Sequence, residues 1–219
     1  MTTAQMAFGL IGMALLAACS STPQLQEKES SEFAGLNKVT GTGFNEAWAK
    51  PGAALDQYRI IDARPMASAD AEIIQPGSSA ISRVQRDWEL TQERQDSLAA
   101  AWDAAIKGAA KDAGLTVASD GERVLRIDAR MTRIAPSADF AQAQSAAGRT
   151  TVYTEDSGDA SVEFRLVDQR SGELLAVIRD KRTLGSQMWG RSSTVTAGAD
   201  ARNTLNRWAR QLVARITGN

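Results

Sequence analysis

The chain has 219 residues, of which 43% are hydrophobic, 23% charged and 5% aromatic, a balance that fits one folded domain and excludes a disordered or multi-span membrane chain. Lys and Arg total 25 against 26 for Asp and Glu, a net charge of −1, so no overall field draws the protein to nucleic acid or an anionic surface. There is no histidine, which removes the usual general base, the usual zinc ligand and the middle member of a Ser-His-Asp relay.

The run Met6 to Ala18 (MAFGLIGMALLAA) carries no charge. It is too short to span a bilayer and has the length of the apolar part of a secretory signal, although MTTAQ before it lacks the customary basic residue. Leu16-Ala17-Ala18-Cys19 closes the run with an aliphatic residue, two small residues and the single cysteine of the chain. This pattern is similar to the lipobox of bacterial lipoproteins, which implies a signal peptide over 1–18, a diacylglyceryl thioether on Cys19 and an acylated new N-terminus. Ser20 follows where an aspartate would favour inner-membrane retention, so the class rule points to the outer membrane with the domain facing the periplasm. The alternative is a core cysteine on a buried N-terminal helix, which the following Ser-Ser-Thr-Pro-Gln argues against.

Residues 19–32 read as the lipidated N-terminus and a polar tether, SSTPQLQEKESSE from Ser20 onward. Such a segment reaches about 45 Å when extended and averages roughly 20 Å as a coil. The remaining 33–219 read as a single periplasmic domain without internal repeats.

Tyr58 to Ala63 is a short strand that Pro65 ends by removing a backbone donor. From Thr91 a helix is expected, with Leu98, Trp102, Ala105, Ile106, Ala109 and Ala113 at steps of three and four and Gly114 as a left-handed cap. Val124 to Ile134 alternates, with Leu125, Ile127, Ala129 and Met131 facing in and Arg126, Asp128, Arg130 and Thr132 facing out. Ala160 to Asp168 repeats the alternation, and Gln169 to Glu173 turns it into a returning arm, Leu174 to Arg182. Thr194 to Ile216 is a final helix whose stripe holds Leu205, Trp208, Ala209, Leu212, Val213 and Ile216. Strand, helix, three strands and helix fold most simply as a two-layer α+β sandwich: a mainly antiparallel sheet of about four strands, two helices on one face, and a charged, solvated outer face.

The lipobox, the Tyr58-x-x-Ile-Ile-Asp-x-x-Pro65 strand, the stretch VLRIDARMTRIAP ending at Pro136, the hairpin EFRLVDQRSGELLAVIRDKR and the closing RWARQL helix together resemble a family of bacterial lipoproteins, domain of unknown function 3313. The resemblance covers roughly Phe33 to Thr217 and implies an outer-membrane lipoprotein without a known reaction.

Chemistry has few handholds. There is no G-x-S-x-G, S-x-x-K or GxxxxGK motif, and Gly41-Thr42-Gly43 lacks the third glycine of a dinucleotide site. No cofactor, metal or nucleic acid is expected, and the protein is not expected to be an enzyme. Carboxylate pairs at Asp70/Glu72, Asp120/Glu122 and Glu155/Asp156 would be the basis of a cell-wall hydrolase, but each falls in an expected loop where acids serve solvation. Arg126, Arg130 and Arg165, with Arg179 and Lys181, form an outward row that suits an anionic glycan or lipid phosphate; the competing account is a cross-strand charge ladder with Asp128, Glu163 and Asp180. Trp102 and Trp208 belong to the core. Trp189, in GSQMWGRSS, is either a lid on the core or an exposed anchor for an envelope protein partner. The expected function is a lipid-anchored structural or protein-interaction role, with binding of anionic envelope components as the alternative.

Overall fold

The computed structural model describes residues 23–75, 88–137, 152–154, 157–185, 190–192 and 194–218. Its centre is formed by three long antiparallel strands, β7 (Val124–Pro136), β9 (Gly158–Asp168) and β10 (Leu174–Leu184), in the spatial order β7-β9-β10. The alternation read from sequence holds: Leu125, Ile127, Ala129 and Met131 on β7, with Val162, Phe164 and Leu166 on β9, are buried and join one apolar core. At Gly158 the backbone of β7 leaves no room for a side chain. Its φ is +116°, and a Cβ there would lie 2.7 Å from Pro136 Cα, so backbone would have to move to admit any side chain.

Helices α1 (Gln92–Asp112) and α2 (Thr194–Ile216) cover the inner face. Thr91 caps α1 by accepting from Arg94 N–H at 3.4 Å. At the other end Gly114 (φ 71°) donates to Lys111 O and the buried Leu115 to Ala110 O, the paired bonds that satisfy the last carbonyls of a helix. Trp102 of α1 stacks on Phe164 with centroids 5.3 Å apart, and Trp208 of α2 meets the same ring edge-on at 6.5 Å. One β9 side chain thus receives both helices.

The sheet is larger than expected. It has 9 strands rather than about four, in the order β1-β2-β3-β10-β9-β7-β4-β6 with β5 beside β7. The added members are β1 (Gln24–Glu29), β2 (Asn37–Thr40), β3 (Glu46–Ala49), β5 (Glu72–Ile73) and β6 (Thr116–Val117). They are short, and QLQEKE and NKVT have no apolar alternation to announce a strand. What holds β1 is backbone pairing, which needs no particular side chain, whereas β3 also buries Ala47 and Trp48. The expected tether is therefore corrected at Gln24–Glu29, which pairs antiparallel with β2 as an edge strand exposed at every position. The expected first strand is β4 (Ile60–Ala63), two residues shorter at its start, and it runs parallel to β7 and β6. The helix α1 lies between β4 and β6 in the chain, and a crossover of that length is what parallel pairing requires. A separate 2-stranded sheet joins β8 (Val152–Thr154) to β11 (Gly190–Ser192).

The outer face is also only partly solvated. Ser30 to Leu36 form a closed strap: Ser30 N–H donates to Leu36 O at 2.7 Å, and Ser30 Oγ accepts from Glu32 and Phe33 N–H at 3.1 Å each. The strap lays Phe33 and Leu36 on Trp48 and Val177, making a second, smaller apolar cluster on the side away from the helices. Farther along, Gln75 grips Trp88 twice, donating from Nε2 to its carbonyl at 3.0 Å and accepting its N–H at 2.9 Å.

Candidate functional site

The arginine row lies where the sequence placed it, on the outer face of β7, β9 and β10. Strand register sets Arg130 opposite Glu163 and Glu163 opposite Arg179. The Glu163 side chain is 2% exposed because arginines surround it: Arg130 Nη2 approaches Oε1 at 3.3 Å, Arg165 Nε donates to Oε1 at 2.9 Å, and Arg179 Nε donates to Oε2 at 2.8 Å. Burial pushes this carboxyl up, but the bonds from Arg179 and Arg165 and their charges outweigh it and hold the group below its usual value. Glu163 is therefore an anion at neutral pH and has no proton to give.

Arg179 joins this cluster to the strap. Its Nη1 and Nη2 donate to Glu32 at 3.0 and 2.6 Å, a two-pronged pair that raises its pKa further. The same guanidinium lies 5.1 Å from the Phe33 ring centre and 5.6 Å from that of Trp48, within cation–π range.

On the other side, Arg126 Nε donates to Asp128 Oδ2 at 3.0 Å, and Asp128 stands opposite Arg165 in register. Asp62 of β4, 8% exposed, stands opposite Arg126. Arg64 Nε lies 3.0 Å from Asp62 Oδ2, in an ion pair whose angle does not form an aligned hydrogen bond. The layer therefore holds Arg64, Arg126, Arg130, Arg165 and Arg179 against Glu32, Asp62, Asp128 and Glu163. Signs alternate both along and across the strands. Such a layer can bind the strands together or present its exposed guanidinium edges to an anion; arginine, always charged, cannot serve as acid or base here.

One member of the expected ladder is elsewhere. Asp180 faces inward, 5% exposed, where it accepts from Trp208 Nε1 at 2.8 Å, Arg182 Nε at 2.6 Å and Asn45 N–H at 3.0 Å. Its parity along β10 matches Ile178, and side-chain direction follows parity rather than charge. Conversely, no residue pattern singles out Glu32, Phe33 or Trp48; Asp62 is signalled by its position after two isoleucines, on the opposite face from Ile61.

The carboxylate pairs do not gather. Asp70, Asp120 and Glu122 are exposed in loops, while Glu72 lies in β5, 3.9 Å from Arg133. Glu155 and Asp156, like Cys19 and Trp189, fall outside the described residues. No grouping of His, Cys, Asp or Glu among the described residues has the makings of a metal site. A shallow hollow of about 560 Å³ is lined by Gly121, Glu122, Val124, Gln169 and Arg170. Next to Gln169 in the chain, Asp168 accepts from the Tyr58 hydroxyl at 2.6 Å. That bond, with the N–H of Ser171, holds Asp168 at about 2, while burial and then Asp168 push Tyr58 up to about 12. This pairing locks a turn and occupies both Tyr58 and Asp168.

A family model described as a protein of unknown function, DUF3313, matches residues 26–212. No curated protein matches the chain. Among solved structures, a Xanthomonas campestris protein with the family model DUF330 is similar at 14% identity and a TM-score of 0.41, covering 76% of this chain and 90% of that one. PelC from Paraburkholderia phytofirmans, a dodecamer, is similar at 13% identity and a TM-score of 0.40, covering 75% of this chain and 96% of that one.

Proposed function

The chain belongs to the DUF3313 family of proteins of unknown function, and we propose that it is an outer-membrane lipoprotein whose periplasmic domain has a structural or protein-interaction role in the cell envelope. The anchor is Cys19, at the end of an uncharged run and a lipobox-like LAAC. The observation that favours a non-catalytic role is the pairing on the outer face. Arg126, Arg130, Arg165 and Arg179 all lie against carboxylates of the same molecule, so the conspicuous charges form a cross-strand lattice. In-cell crosslinking followed by mass spectrometry tests this: a recurrent envelope protein attached to the domain is expected, and its absence under exhaustive crosslinking would refute the role. Cys19→Ala should release the protein from the membrane fraction.

A second reading has its own observation. Three guanidinium groups share the one Glu163 carboxylate, and Arg130 and Arg165 remain 52% and 47% exposed. The excess positive charge suits a phosphate or uronate group. If it binds one, affinity for vesicles containing phosphatidylglycerol falls with salt and is lost in Arg130→Gln/Arg165→Gln.

A further inference from the structure

We propose that the free edge of β1 is the surface this protein lays against the lipid bilayer, so that the sheet stands edge-down on the membrane. The proposal rests on acylation of Cys19 and adds the orientation of the domain to it.

The first observation is the length of the spacer. Had the chain to Glu32 been a coil, the domain would drift tens of ångströms from its anchor. Strand pairing begins instead at Gln24, leaving Ser20, Ser21, Thr22 and Pro23 between the acylated residue and the sheet. From Cys19 to Gln24 the backbone spans at most about 18 Å. The headgroup layer takes roughly 5–8 Å of that, so β1 begins within about 10–13 Å of the lipid surface by those same limits.

The second observation is Leu25. It is 46% exposed, the one large apolar side chain recorded as exposed among the described residues, and it is the second residue of β1. An isolated exposed leucine is ordinary; one placed six residues from a lipid anchor has an apolar boundary within reach. Lying flat would bring no exposed large apolar side chain of the described residues to the lipid, and any attraction of the arginine layer for anionic headgroups would be weakened by salt. The outer face would press guanidinium and carboxylate groups on the headgroups, and the helix side would press Glu93, Asp96, Lys107 and Lys111. The β1 edge carries Glu27 and Glu29 against Lys28, so attraction to anionic lipid plays no part, and contact should be insensitive to salt.

Edge-down placement also disposes of an open strand. The outward N–H and C=O groups of β1 would otherwise be a template for another chain, and hydrated headgroups occupy that side instead. With β9 fifth and β6 eighth in the strand order, the arginine layer rises about 19 Å and the far edge about 34 Å above β1 at a spacing of ~4.8 Å. The β4–β6 edge and the loop around Glu122 then face the periplasm.

The experiment uses the full-length lipidated protein in phosphatidylethanolamine–phosphatidylglycerol vesicles that carry a headgroup-attached quencher. Gln26→Cys and Glu122→Cys, both at exposed positions, are labelled separately with a thiol-reactive fluorophore; Cys19, as a thioether, does not react. Flotation is scored first, then quenching. Quenching several-fold stronger at position 26 than at 122, and unchanged by salt, is the expected result. Flotation with equal or reversed quenching would overturn the edge-down placement alone. Failure to float would overturn the acylation of Cys19 and the placement with it.

Discussion

Asp180 and Glu163 sit one step apart across β9 and β10, each almost fully buried, each ringed by donors, and they face opposite sides of the sheet. Asp180 points into the main core, where Trp208 Nε1, Asn45 N–H and Arg182 leave it 3% exposed at the side chain. Glu163 is 2% exposed on the outer face, but the arginines that bury it are 32–52% exposed. The difference lies in the partners. Two of those around Asp180 are neutral N–H groups, the buried indole of Trp208 and the main-chain N–H of Asn45, fixed by helix and backbone; those around Glu163 are long side chains whose charged ends already touch solvent. Burial of the anion is the same, and the freedom of what surrounds it decides what its loss costs.

The sharpest break in this comparison is Asp180→Ala. It strands a buried indole N–H and a backbone N–H and leaves Arg182 uncompensated, and should lower stability by about 3–5 kcal/mol, read as a fall in the urea midpoint. Glu163→Ala should cost about 1–3 kcal/mol, because Arg130, Arg165 and Arg179 turn to water once their shared anion is gone. Equal losses would mean that the outer arginines are as fixed as Trp208.

Acid extends the comparison. Glu163, Asp159 and Asp168 are all held below their usual values, Asp168 at about 2. Such groups stabilise the fold above their unfolded pKa of about 4 and lose that contribution as pH falls through the folded value. The urea midpoint should therefore hold near neutrality and decline from about pH 4 toward 2, with Asp168→Asn flattening the lower part of the slope. A midpoint independent of pH over that window would contradict the pairing at all three. The smallest effect belongs to Glu32→Ala. Glu32 is 52% exposed, and its loss should cost about 0.2–1 kcal/mol, while Trp48 fluorescence reports whether the strap loosens.

Legibility from sequence followed the source of each element's stability. The strands β7, β9 and β10 and both helices bury one apolar side, and so their period is written in the residue pattern; Val162, Phe164 and Leu166 were readable as inward-facing for that reason. The strands β1 and β2 are held by main-chain pairing with each other and with β3, and QLQEKE reads as a solvated linker because every side chain in it is solvated. Parallel pairing of β4 was hidden for a related reason, since Ile60 and Ile61 record burial and not the direction of a neighbour. At the candidate site the arginines were visible as an outward row, and Glu163 as their counter-ion. Glu32 was not, because its contact with Arg179 spans most of the domain in sequence. Asp180 was misassigned although Ile178, two residues before it, already recorded its side of the sheet.

Gln75 holds Trp88 by both its carbonyl and its N–H, so the chain departs after Ile74 and comes back to the same place. The clasp is made by Gln75 and the main chain of Trp88, and doubling the length of a flexible connection adds only about 0.6 kcal/mol to its closure. The clasp therefore offers a port: a position where an epitope, a fluorescent protein or a binding peptide can be spliced into the middle of the chain while both termini stay as they are.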